Sequence, residues 1–135
     1  MSDGDTLTVV DTAGRRVKVR LAGIDAPEKR QAFGQQSKQA LADRVFGRQV
    51  VVDVGKTDRY GRTIGKVWVD GTDANLAQIR DGLAWHYKKY EREQTMTDRF
   101  RYAHAESEAR QHRRGIWRLP EPLAPWDYRL QTRRK

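Results

Sequence analysis

At 135 residues, with 37% hydrophobic and 33% charged residues and a formal net charge of +9, the chain reads as one folded, strongly basic domain. The basic excess points to a polyanionic partner, nucleic acid before an acidic membrane surface. There is no cysteine, which removes disulfides, thiol catalysis and Cys-ligated zinc, and no run approaches the ~18 apolar residues of a membrane span.

In chain order, the first elements are strands. TLTVV (residues 6–10) and RRVKVRLAGI (15–24) flank DTAG, a hairpin turn with Gly14 at its tip. After Pro27, FGQQSKQALADRVFG (33–47) predicts a helix with Ala40, Leu41, Val45 and Phe46 on one side and Gly47 as its stop. QVVVDVG (49–55) and TIGKVWVDG (63–71) predict two more strands, the second closed by the turn pair Asp70-Gly71. DANLAQIRDGL (73–83) predicts a helix capped by Asp73, with Leu76, Ile79 and Leu83 facing inward. TMTDRFRYAHAESEARQHRRG (95–115) predicts a longer, polar helix that packs through a thin stripe of Met96, Phe100 and Ala103. The end of the chain holds all but one of the prolines and predicts an extended basic tail, residues 118–135, tacked down by Trp126 and Tyr128. Strands with interleaved helices imply a single α+β domain over residues 1–135, with a small barrel expected.

Three clusters carry chemistry-bearing residues: DGDT (3–6), Arg20 with Asp25 and Glu28 in RLAGIDAPEKR (20–30), and TDRYGR (57–62). Taken singly, each has an ordinary explanation: a turn, a surface ion pair, a hairpin tip. Together they form an inventory for phosphodiester hydrolysis. Asp5 and Asp25, with a backbone carbonyl and waters, supply hard oxygen ligands suited to Ca²⁺. Glu28 is close enough in sequence to hold or deprotonate a water beside that cation. Arg20 and Arg62 offer planar forks that bind phosphate oxygens bidentately, as Lys cannot. His86, His104 and His112 lack the spacing of a zinc site.

The order and spacing of DGDT, RLAGIDAPE and TDRYGR resemble the staphylococcal nuclease (thermonuclease) family. The resemblance continues through VWVDG, NLAQIRDGLAW and RRGIW, covering roughly residues 3 to 117, and the PWDYR of the tail is similar to the ending of exported bacterial members. It implies an OB-fold, a five-stranded barrel with three α-helices, that cuts DNA and RNA with Ca²⁺ and leaves 3′-phosphate ends. By the same resemblance Arg20 grips phosphate, Glu28 is the general base, and Arg62 stabilises the transition state or the leaving oxygen. Asp5 and Asp25 are the implied carboxylate ligands of calcium, with the backbone carbonyl of Ala26, where the family has threonine, as a third ligand. Arg59 and Tyr60 line the nucleotide site, and Tyr87, chosen over Trp85 and Tyr90, stacks on the base.

The loop from Glu28 to Phe33-Gly34 is shorter than in the founding member. The family's opening strand lies mostly before DGDT, where only Met1 and Ser2 stand here, too few to supply a strand. A shortened or misplaced start is therefore expected, with part of a neighbouring strand left open. The resemblance further implies a secreted or periplasmic protein, any export signal having been trimmed, and a monomer. The competing expectation is an OB-fold module that binds nucleic acid with a dead site. Such a module should have lost Arg20, Glu28 or Arg62, and all three are present.

Overall fold

In the computed structural model, which describes residues 3–133, the chain folds around one sheet. Strands β1 (Thr6–Val10) and β2 (Arg16–Leu21) form the expected antiparallel hairpin. The two-residue β3 (Ile24–Asp25) follows, then helix α1 (Gly34–Val45) and the antiparallel pair β4 (Val51–Thr57) and β5 (Thr63–Val69). A short β6 (Thr72–Asp73) turns back on β5 and leads into α2 (Ala74–Arg80). Then come β7 (Trp85–His86), α3 (Met96–Gln111) and α4 (Pro125–Arg133), with a 3₁₀ segment before and another after α3.

The sheet order is β1-β2-β5-β4, with β6 added on β5, and β2 runs parallel to β5. Five strands were expected in one sheet and five form it, while β3 and β7 pair separately. The sheet is open rather than closed into a barrel: the outer edges of β1 and β4 have no partner strand among the described residues. Val10 on β1 and Val51 and Val54 on β4 are correspondingly exposed. Met1 and Ser2, expected to be too few for a strand, lie outside the described residues.

The core lies between the sheet and helices α1 to α3, where Val19, Leu21, Ile24, Leu41, Val67 and Ile79 are fully buried. Asp73 caps α2 as expected, accepting from the Leu76 N–H at 3.0 Å, and its other oxygen accepts the hydroxyl of buried Tyr102 at 2.7 Å. That second bond ties the start of α2 to α3.

Three expectations need correction. There are four α-helices rather than three, because the basic tail is not extended: Pro125 begins α4, where its missing N–H costs nothing. The buried face of α3 is Tyr102, Ala105, Glu106 and Ala109, while Met96 and Phe100 are each 74% exposed. The four-residue spacing of Met96 and Phe100 marks a face of the helix, but α3 packs on α2 through the face bearing Tyr102. Phe46 likewise lies in solvent just beyond α1, whereas Leu41 and Val45 of the same set are buried.

Candidate active site

The DGDT segment is pinned from below. Gln78 of α2 is fully buried and donates from Nε2 to the Gly4 carbonyl at 2.9 Å and the Ser37 carbonyl at 3.1 Å. The chain passes so close to α1 here that a Cβ on Gly4 would collide with the Ser37 hydroxyl. This close approach drives Asp5 into the interior, where it is only 3% exposed.

Asp5 meets the residues of the β2–β3 corner. Its Oδ2 accepts the Ala26 N–H at 2.7 Å, and its Oδ1 accepts the Thr6 hydroxyl at 3.1 Å. Arg20, near the end of β2, lies between the two aspartates, with Nη2 at 3.5 Å from Asp5 Oδ2 and 3.5 Å from Asp25 Oδ1. Its Nη1 donates to the carbonyls of Leu21 at 2.8 Å and Ile24 at 2.9 Å, so the backbone corner fixes the guanidinium plane. Asp25 is wholly buried because β3 pairs with β7, placing Asp25 opposite Trp85.

Charges are crowded here. Burial pushes the Asp25 carboxyl up to about 6, with the Asp5 charge adding to the shift and hydrogen bonds from Arg129 opposing it. Burial acts in the same sense on Asp5, but Arg20, Asp3 and the Ala26 N–H outweigh it and hold Asp5 below the usual carboxylate range. Asp3, half-buried, is pushed up to about 8 by burial and by Asp5 beside it, so it carries the proton of that pair at neutral pH. Asp5 and Asp25 thus share the Arg20 guanidinium, and Asp25 has Arg129 besides. Carboxylate oxygens are of the kind a calcium ion takes. Among the described residues, no group of three or more acidic, histidine or cysteine side chains forms a metal cage. A calcium held here would therefore depend on carbonyl and water oxygens as well.

Glu28 lies just beyond, on the loop after Pro27. Its N–H donates to Gln31 Oε1 at 3.0 Å, and its own Oε1 accepts from Arg129 Nη1 at 2.9 Å. Arg129 also grips Asp25 with both ends of its fork, Nη2 to Oδ2 at 2.7 Å and Nη1 to Oδ1 at 3.1 Å.

Arg59, Tyr60 and Arg62 occupy the turn between β4 and β5. Arg62 enters β5 beside β2, since Ile64 two residues on pairs with Arg20. Its Nε donates to Asp58 Oδ2 at 2.8 Å and its N–H to Asp58 Oδ1 at 2.9 Å. The Tyr60 ring is 68% exposed between the guanidinia of Arg59 and Arg62, at 5.0 Å and 5.5 Å from its centroid. Tyr87 follows β7, its N–H donating to the Gly23 carbonyl at 2.9 Å. Its ring meets Tyr90 edge-on at 5.0 Å and stacks flat on Trp126 of α4 at 5.3 Å and 4°.

The fold thus brings Asp5, Arg20, Asp25, Ala26 and Glu28 into one cluster. Arg59, Tyr60 and Arg62 form a second group whose bonds are to Asp58 and to one another. Sequence reasoning missed Asp58 as the anchor of Arg62, and it missed Arg129 and Trp126 as neighbours of the site. The PWDYR segment was the available signal for the last two.

A family model described as staphylococcal nuclease homologue matches residues 18–119. The chain is 40% identical to a micrococcal nuclease of Shigella flexneri, covering 97% of this chain and 78% of that one. It is 42% identical to protein ParB of Escherichia coli, over 96% of this chain and 76% of the relative. It is also 39% identical to an uncharacterized endonuclease of Haemophilus influenzae, over 98% and 71%.

Proposed function

This chain belongs to the staphylococcal nuclease family, and from that premise we propose that it is a calcium-dependent nuclease, cleaving DNA or RNA to leave 3′-phosphate ends. The observation that carries the reading is the convergence of buried Asp5 and Asp25 on Arg20, with Glu28 joined to the same cluster through Arg129. Such a cluster is a weak source of stability, since burying acids and guanidinia together costs their hydration even when they pair. It suits a site that must receive a cation and a phosphate.

In this mechanism Asp5, Asp25 and the Ala26 carbonyl would hold the calcium, which supplies positive charge beside the phosphate when bound. Glu28 takes a proton from a water whose oxygen bonds to phosphorus. The P–O5′ bond breaks as that bond forms, leaving the phosphate on the 3′ side and a 5′ oxygen that gains a proton from solvent. Arg20 and Arg62 offer forked donors to the phosphate oxygens as negative charge builds on them. Tyr87 stacks on a base, while Arg59 and Tyr60 border the nucleotide, aromatic and guanidinium faces being sequence-tolerant platforms. The chain acts as a monomer.

The test is incubation with single-stranded DNA and RNA, in Ca²⁺ and in chelator, followed by end-group analysis. Cleavage should need Ca²⁺ and yield 3′-phosphates. Full activity in excess chelator would remove the metal from the scheme, and binding without cleavage would favour a module with a dead site.

A further inference from the structure

The C-terminal helix presses on the site just described. Only Pro125 of α4 is buried; just before it, Ala124 is buried too and the Leu123 carbonyl accepts from Gln31 Nε2 at 2.6 Å. The remaining polar grip on the body of the protein comes from Arg129, on both oxygens of Asp25 and on Glu28. The aromatic grip comes from Trp126, flat on Tyr87 and edge-on to Trp85 at 5.4 Å. Trp126 and Arg129 are three residues apart and so share one face of the helix. One face of α4 therefore meets a carboxylate ligand, the general base and the stacking tyrosine of the proposed reaction.

These contacts copy what a loaded site would hold. The guanidinium is a cation on Asp25, and the indole is a flat ring on Tyr87. A divalent cation on buried Asp25 would sit against the partly exposed Arg129, and like charges at that range repel. A base stacked on the Trp126 side of Tyr87 needs the surface the indole covers. Helix α4 has nine residues, too short to persist on its own. Once those contacts are lost, little holds it.

We propose that α4 is a built-in competitor of the active site, its Arg129 displaced from Asp25 by the divalent cation and its Trp126 displaced from Tyr87 by a nucleotide base. The inference rests on the nuclease reading for the identity of these ligands. Because coupling between two binders is reciprocal, weakening the helix must strengthen the cation.

The test is calcium binding by calorimetry, without nucleic acid, to the full chain and to Arg129→Gln, with amide hydrogen exchange of residues 125–133 in each. Arg129→Gln should bind Ca²⁺ about tenfold tighter, within the usual span of such couplings. In the unaltered chain, saturating Ca²⁺ should speed exchange across α4. Equal or weaker affinity in the variant, exchange that slows or stays the same, or no calcium binding by either protein would overturn the proposal. Slower exchange with weaker affinity would make Arg129 a positioning residue for Glu28 instead. If Arg129→Gln fails to fold, the exchange measurement on the unaltered chain decides alone. Neither readout requires cleavage: calcium-driven release of α4 in a chain that cuts nothing sinks only the nuclease reading. A calcium-dependent nuclease whose α4 never moves sinks only the competitor.

Discussion

Arg20, on β2, and Arg62, in the turn just before the neighbouring β5, are proposed to do similar work, yet the protein fixes them by different means. Arg20 is held in the interior by two backbone carbonyls and two buried aspartates drawn from separate segments of the chain. Arg62 is held by Asp58 alone, four residues away in the same turn, with an exposed tyrosine for company. The inner half of the site is part of the core, so its geometry is as rigid as the fold. The outer half is a local device that can shift with its ligand without disturbing anything else. Function and stability should therefore be entangled at Arg20 and separable at Arg62.

The largest expected effect is at Arg20. Arg20→Gln leaves buried Asp5 with no guanidinium and Asp25 with Arg129 alone, and should cost about 3–5 kcal/mol of stability, beyond any loss of activity. Urea unfolding measures it, and a cost under about 1 kcal/mol, usual for a surface pair, would erase the distinction between the two halves. At Arg62 the balance reverses. Arg62→Lys should slow cleavage by ~10²–10³-fold, as losing one transition-state donor does, while stability changes by less than about 1 kcal/mol. Near-normal turnover would take Arg62 out of the mechanism.

A smaller contrast separates two glycines. Gly4→Ala drives a methyl group into Ser37 under the buried half and should cost about 1–3 kcal/mol, as overpacking does. Gly61→Ala meets no atoms but must adopt a φ of 79° in the outer turn, a cost of about 1–2 kcal/mol for an alanine. The telling measurement is calcium affinity. Gly4→Ala should weaken it by displacing Asp5, and Gly61→Ala should leave it unchanged. Equal effects on calcium would mean that the two halves are not mechanically independent.

The same division governs what the sequence disclosed. DGDT, RLAGIDAPE and TDRYGR are short segments, each ordinary by itself, and only their combination singled out the residues of both halves. The hairpin, the central strands and the cap of α2 were legible from local patterns. Arg129 lies 104 residues from Asp25 and 101 from Glu28, and no local pattern joins them. The prolines around it suggested an extended tail, although a proline at the first helical position also starts helices. On α3, periodicity revealed a helix but not which face packs, because the buried face includes Glu106, held there by the His86 N–H at 2.7 Å.

The gentlest way to probe the inner half is to acidify it, and His86 is the residue to watch. It sits on β7 opposite Ile24, next to the strand position of Asp25, and its side chain is buried. Its Nε2 lies 2.8 Å from Gln94 Oε1 and its Nδ1 3.1 Å from Lys88 Nζ, so the neutral ring donates to the amide and accepts from the lysine. Burial lowers its proton affinity below the ordinary 6.5; the hydrogen bond with Gln94 opposes this, Lys88 adds to it, and Glu106 and Glu91 oppose it more weakly. The unfolded chain therefore binds this proton first, and stability from neutral His86 is lost as pH falls from about 6.5 towards the folded value. Asp25, pushed up to about 6, and Asp3, pushed up to about 8, act in the opposite sense, because burial makes the folded chain hold their protons more tightly. Those two contributions are common to the protein and to His86→Gln, so subtracting the two melting curves leaves the histidine. The melting temperature of the unaltered chain should fall more steeply from pH 7 to pH 5 than that of His86→Gln, while Asp58→Asn in the outer turn should run parallel to the unaltered chain over that range. Parallel curves for His86→Gln would mean that the imidazole takes its proton without disturbing the strand that carries Asp25.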